Sequence, residues 1–379
     1  YKMMLKTSQL SLREKVKRIL LVVFFLYLFL LGISLLGSSL KLFGKDFSRR
    51  LISTTSNPAV GLMIGLLATA VIQSSSTTTS IVVGFVASGT LSITNAVPII
   101  MGANIGTTVT SFLVSFCCIT RKEEFERAIA GATVHDFFNL LTVFILFPLE
   151  ITTHFLEKSA RFLTGLIGTV EKDVSFKSPV KEAIKPCVKF LCKMENKIFG
   201  DIFIGKIILF ALSLILILIS LYFLVSIMKS LVVRKTEVVF HNIVGGNPFL
   251  GIIMGMIFTV LVQSSSVSVS ILVTLIAAGI VSVEDAFPLT LGANVGTTIT
   301  ALLASMSGET INGLTIALVH LLFNIVGIIL IYPMKTTRSI PLFLAKKMGS
   351  LAVRSKLYPI IFLVSVYFLV PTLLIFIFK

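Results

Sequence analysis

The chain has 379 residues, of which 55% are hydrophobic and only 13% charged, with a formal net charge of +16. A soluble domain carries about 25% charged residues, so a water-soluble enzyme or binding module is excluded. Nucleic-acid binding is excluded by distribution, because the basic residues sit in tails and connectors where anionic lipid headgroups would meet them.

Three uncharged runs, 19–40, 207–228 and 357–378, are long enough to span a bilayer; about 20 apolar residues cross a hydrocarbon core roughly 30 Å thick. Residues 1–18 hold six basic side chains and one acid, Glu14, and no small-residue cleavage site follows the first apolar run. The expectation is an uncleaved first span with a cytoplasmic N-terminus. Residues 41–50 form a short basic connector.

From Leu51 to Thr120 there is no Lys, Arg, Asp or Glu, yet the stretch is rich in Gly, Ser, Thr, Asn and Pro. It is membrane-embedded but not plain lipid-facing helix. Asn57-Pro58 reads as a helix cap followed by a proline in the first turn. The helix it opens is too short to cross before it meets Gln73-Ser74-Ser75-Ser76, after which a second short apolar piece follows. Two half-length helices around a polar break predict a re-entrant hairpin over 57–89. Non-helical backbone at that depth is tolerated only where protein or water covers it.

The stretch 92–118 spans, broken by Pro98 and by Gly102 to Thr108; 128–148 spans again, carrying His135, Asp136 and Asn139. Residues 151–206 are mixed and lysine-rich, with an amphipathic pattern suited to a membrane surface. The pattern of the first half then returns. Asn247-Pro248, Gln263-Ser264-Ser265-Ser266, Pro288 and Gly292 to Thr298 match their counterparts at one offset of 190 residues. Between 57–110 and 247–300, 24 of 54 positions are identical. Further on the offset is 185, pairing His320 with His135 and Asn324 with Asn139.

The expected organisation is a tail (1–18), a first transmembrane repeat (19–150), a connecting segment (151–206), a second repeat (207–334) with hairpin 247–279, and a basic segment with a last span (335–379). The fold class is an all-α polytopic membrane protein. Three crossings separate the hairpins, and an odd number inverts the second repeat relative to the first. Inverted repeats with interrupted helices are the signature of secondary transporters, whose site lies near the midplane. With the N-terminus inside, 229–241 and 335–356 fall inside, 335–356 in line with the positive-inside rule, and the lysine-rich 151–206 falls outside, long loops weighing little in that rule.

The two breaks offer hydroxyls, amides and helix N-termini, a donor set for a multivalent oxyanion. Neither hairpin supplies a Lys or Arg, so the anion's charge requires an accompanying cation. Asn104, Thr107, Asn139, Asn294, Thr297 and Asn324 offer oxygens for a hard cation such as Na+. Asp136 is an acid within a predicted span, with Leu321 at the matching position; a carboxylate at depth marks a functional position. The histidines read as structural hydrogen-bonders, the matched glycines as packing contacts, and the four cysteines as fillers.

Val71 to Thr77, Met101 to Thr107, Gly131 to Asn139 and Leu261 to Val267 resemble the type II sodium/phosphate cotransporters. The resemblance implies Na+-driven uptake of inorganic phosphate, with Na+ co-transported rather than held as a prosthetic group. It implies that Gln73, Ser74, Ser75, Ser76, Gln263, Ser264, Ser265 and Ser266 contact phosphate, and that Na+ binds near Asn139 and Thr297. Electrogenic members carry Asp where Asp136 stands and the electroneutral form has Gly, so Asp136 joins the sodium-site candidates and the chain resembles an electrogenic member. The animal proteins have a large glycosylated, disulfide-bearing loop between the halves. Here that segment is short and has no glycosylation sequon, as in a prokaryotic relative. They also carry Gln and Asp where Cys118 and Arg121 fall, and often Ser at Ala293, positions linked to one sodium site.

The expected partners are phosphate, Na+ and the lipid bilayer of the plasma membrane; a homodimer is one assembly such a chain can form. An exporter or carrier of another oxyanion would use the same donors. An anion channel is a different class, but filters built of re-entrant segments usually need symmetric subunits. An enzyme with a Ser nucleophile would need a paired base, and none is apparent.

Overall fold

A computed structural model describes residues 12–173, 179–200, 202–243, 247–307 and 310–378. These are helical almost throughout and contain no strand. In the first half, α1 (Leu12–Leu42) and α2 (Gly44–Thr54) lead into the half-length helices α3 (Pro58–Ile72) and α4 (Ser75–Ala87). They are followed by α5 (Ile93–Gly106), α6 (Thr108–Ser115) and α7 (Lys122–Thr153). Two connecting helices, α8 (Phe155–Asp173) and α9 (Pro179–Phe199), precede the long α10 (Phe203–Ile243). The second half repeats the scheme with α11 (Pro248–Val262), α12 (Ser265–Ala277), α13 (Val283–Ser305) and α14 (Asn312–Ile331). It closes with α15 (Lys335–Arg354), α16 (Leu357–Val364) and α17 (Val370–Phe378), the last two joined by a π-helical turn at Ser365–Leu369.

Seven helical stretches are long and apolar enough to cross a membrane, or up to eight if α2 and α3, bent by 96° at their junction, count as one span. The chain is a multi-pass membrane protein. Several segments expected as connectors are themselves helices. Residues 44–54 form α2, α10 continues past the expected span to Ile243, and 335–354 form α15, which packs along α7. The side chains of 229–241 and the tail residues 1–11 lie outside the described residues.

The half-length helices begin and end as the residues dictate. Asn57 and Asn247 cap α3 and α11, their Oδ1 atoms accepting from Ala59 N at 3.0 Å and Phe249 N at 2.9 Å. Both helices end on a left-handed glutamine, Gln73 at φ 58° and Gln263 at φ 57°. Ser74 and Ser264 then cap α4 and α12. A left-handed non-glycine residue costs about 1–3 kcal/mol, and here it recurs in register in both halves. Helices of 15 and 13 residues span about 22 and 20 Å, short of the hydrocarbon core.

Within each half, two helices meet backbone to backbone. At the α3–α5 crossing, a Cβ on Gly65 would collide with the Ile99 carbonyl and one on Gly102 with the Leu62 carbonyl. At the α11–α13 crossing the same holds for Gly255 against Leu289 and Gly292 against Ile252. Small residues let helices meet this closely. Replacing Gly102 or Gly292 by Ala forces the helices apart. Overpacking of this kind costs about 1–3 kcal/mol, so each variant is expected to melt several degrees lower in detergent, whereas Gly165→Ala, inside α8 and in open space, does not lower the melting temperature, alanine being the better helix former.

Each second half-helix packs on the opposite repeat: α4 against α13 and α14, α12 against α6 and α7. Their C-terminal carbonyls are held the same way. Arg127 Nε donates to Ala277 O at 3.1 Å, and Thr310 Oγ1 donates to Ala87 O at 3.0 Å.

Of the two interruptions expected in 92–118 and its counterpart, the first is a one-residue turn at Thr107 between α5 and α6. In the second half α13 runs unbroken from Val283 to Ser305. Pro98 and Pro288 lie inside their helices.

Candidate functional site: two capped breaks and a cross-repeat polar core

The triple serines divide their labour. Ser74 Oγ accepts from Thr77 N at 3.2 Å, and Ser264 Oγ from Val267 N at 3.3 Å. As acceptors these hydroxyls satisfy orphan amides of the next helix, and each keeps its O–H to donate. The helices themselves start at Ser75 and Ser265. The free N-terminal donors are therefore the amides of Ser75, Ser76, Ser265 and Ser266, with their hydroxyls beside them. Ser75, Ser76 and Ser265 are buried and Ser266 is half-buried. Such a helix start favours an anion through its N–H groups and its dipole.

The glutamines differ. Gln73 is exposed. Gln263 is buried; its Nε2 donates to Val260 O at 2.6 Å and its Oε1 accepts from Thr300 Oγ1 at 3.0 Å.

Between the breaks, four of the sodium-site candidates meet. Asn104 on α5, Asn139 on α7, Asn294 on α13 and Asn324 on α14 are all buried and linked with His135 and His320. His135 Nε2 bonds Asn294 Oδ1, and Asn294 Nδ2 donates to Asn139 Oδ1 at 2.8 Å. Reciprocally, His320 Nε2 bonds Asn104 Oδ1 at 3.2 Å, and Asn324 Nδ2 approaches the same oxygen at 3.4 Å. Asn139 Nδ2 reaches the Asn104 carbonyl at 3.0 Å. Each repeat's asparagine on the scaffold helix is thus read by the other repeat's histidine and asparagine. The carboxamide oxygen of Asn324 has no hydrogen-bond partner among the described residues. A buried, unsatisfied oxygen costs about 1–3 kcal/mol and is a ready ligand for a hard cation, which takes oxygen donors.

Thr107 and Thr297 are buried beside this core, but their hydroxyls bond backbone of their own helices, Ala103 O at 3.3 Å and Asn294 O at 2.5 Å. Asp136 does not hydrogen-bond to the asparagines. It is fully buried, its Oδ1 accepts from the Tyr367 hydroxyl, and its Oδ2 has no partner among the described residues. Tyr367 sits in the π-helical turn of the last span. Such turns are rare and recur at functional sites. Sequence reasoning missed Tyr367, a polar tip in an otherwise uncharged run, and took the histidines as structural without seeing that they join the repeats.

One group of His and acidic side chains close enough to share a metal lies elsewhere, at the α7–α8 corner: Glu150, His154 and Glu157. Its carboxylates already have structural duties. Glu150 caps α8 through Leu156 N at 2.6 Å and Glu157 N at 3.2 Å, and Arg161 holds Glu157 at 2.8 Å.

The polar core can therefore offer oxygens to a cation, and the two breaks can offer donors to an anion, with no basic side chain among their described residues. The family model described as Na+/Pi-cotransporter matches residues 28–165 and 216–352, one stretch in each half. Sodium-dependent phosphate transport protein 2B of Homo sapiens is 34% identical over 448 residues, covering 94% of this chain and 65% of that protein. Protein 2A of Rattus norvegicus is 31% identical, covering 95% of this chain and 67% of that protein. Protein 2A of Ovis aries is 34% identical, covering 93% and 66%. The chain thus spans about two thirds of the length of these curated relatives. No solved structure matches it.

Proposed function

Because the chain belongs to the Na+/Pi-cotransporter family, we propose that it is a secondary transporter that couples Na+ entry to uptake of inorganic phosphate. The two repeats are inverted, access alternates between the membrane faces, and the cycle carries net charge. Phosphate rests on the Ser75–Ser76 and Ser265–Ser266 helix starts. Na+ takes oxygens from the asparagine core and from Asp136. The N-terminus is cytoplasmic and the membrane is the plasma membrane.

The observation that carries this reading is the reciprocal core. Asn104 with His320, and Asn294 with His135, join the repeats between the two breaks. Neither repeat then completes a site alone. Coupling follows from electrostatics. A phosphate at two uncharged helix starts in a low-dielectric core is costly without a counter-charge, and a Na+ there costs as much without an anion. Each ligand lowers the cost of the other, and that reciprocity is what coupling between two sites means.

Labelled phosphate uptake into proteoliposomes under inward Na+, K+ or H+ gradients tests it. The expected result is accumulation above the external level under the Na+ gradient alone. Uptake indifferent to Na+ would overturn the symporter reading.

A further inference from the structure

The two breaks have the same sequence and the same backbone, with Gln73 and Gln263 left-handed within one degree of each other, yet their surroundings differ at matched positions. In the second repeat Thr300 Oγ1 holds Gln263 Oε1 at 3.0 Å. In the first, the matching Thr110 hydroxyl is buried without a partner among the described residues and Gln73 is exposed. Thr259 bonds Ser268 at 2.7 Å across the second hairpin, whereas the matching Thr69 hydroxyl is buried and unpartnered.

The threonines two positions before Thr300 and Thr110 differ in step with this. Thr298 bonds its own Val295 O at 2.7 Å, whereas the matching Thr108, one residue after Thr107 with its helical dihedrals (φ −63°, ψ −28°), reaches His135 Nδ1 at 3.3 Å. His320 Nδ1, the partner that Thr298 would take in the equivalent arrangement, is unpartnered. So a Thr–Gln contact goes with a free histidine nitrogen in one repeat, and a Thr–His contact goes with a free glutamine in the other.

We infer that Gln263–Thr300 and Gln73–Thr110 are two copies of one latch, shown here closed in the second repeat and open in the first, and that they exchange as transport proceeds. Thr110 and Thr300 are positioning residues: they act on the binding breaks through the glutamines. Two arrangements of one sequence, one with the Thr–Gln bond made and one without it, form the bistable element that a switch needs. Left open, a latch leaves buried hydroxyls unsatisfied, and this sets the energy difference between the states.

This inference rests on the alternating-access reading, and hydrogen–deuterium exchange on the full chain in nanodiscs separates the two. Peptides covering Gln73–Ser76 and Gln263–Ser266 differ in mass and are read together. Thr300→Val is expected to speed exchange at the Gln263 break by about five-fold, the worth of one neutral hydrogen bond, and to slow it at the Gln73 break. Thr300→Ser keeps the parent pattern. Thr110→Val removes a hydroxyl that bonds nothing here, so it folds as the parent does, and it moves both peptides in the opposite sense. A rise at the Gln263 break with no change at the Gln73 break marks a merely local bond and overturns the inference, as does no change at either. Reciprocal exchange in a chain that takes up no phosphate under a Na+ gradient keeps the latch and removes the symporter reading.

Discussion

Replacing Ser75 or Ser265 by Ala weakens apparent phosphate affinity by about ten-fold or more, and replacing both abolishes measurable transport. The size follows from the bond removed: a hydrogen bond to a charged group contributes about 1.5–3 kcal/mol, or roughly 10- to 150-fold. The fold does not suffer, because Ser75 and Ser265 stand at the first helical position and their hydroxyls cap nothing. Ser74→Ala and Ser264→Ala supply the contrast. Each removes an N-cap, worth about 1 kcal/mol, and is expected to lower the melting temperature along with transport. The measurement is Na+-dependent uptake against phosphate concentration, with the melting temperature of each purified variant. If transport and affinity survive both changes at 75 and 265, the helix starts are not where phosphate binds.

Asp136→Gly is expected to leave phosphate uptake in place and to reduce the current accompanying it to near zero. Asp136 is the acid buried at full depth in α7. One of its oxygens is held by Tyr367, and the other has no partner among the described residues. An ionised carboxylate in that position requires a positive partner. Glycine removes the demand for that ion while the asparagine core remains, so the ion count per phosphate falls by one charge. Paired recordings of labelled phosphate flux and current in the same proteoliposomes give the ratio directly. A variant that loses flux and current in proportion would show Asp136 holding the fold or the phosphate instead.

Much of the fold could be read from the residues because it rests on local rules. Asn-Pro starts, a Gln-Ser-Ser-Ser stop and paired glycines act within one or two helical turns, and each was placed correctly by spacing. The cap roles of Ser74 and Ser264 were not legible, since three serines in a row do not reveal which one takes the cap. What could not be read was relational. His135 and Asn294 lie 159 positions apart, and no periodicity connects them. Tyr367 meets Asp136 only because a π-turn rotates it inward. The stretches 102–108 and 292–298 differ at one position, Ile105 against Val295, while their surroundings differ more, Asp136 standing where the second half has Leu321.

The glycine crossings carry a mechanical consequence. With backbone lying on backbone at Gly65, Gly102 and Gly106, no layer of side chains remains between α3 and α5 to slide or repack. The pair behaves as a welded joint, and α11 with α13 forms its twin. Each pair then moves as one body, and in the chain the half-helices that carry Ser75 and Ser265 are joined to it through the left-handed turns at Gln73 and Gln263.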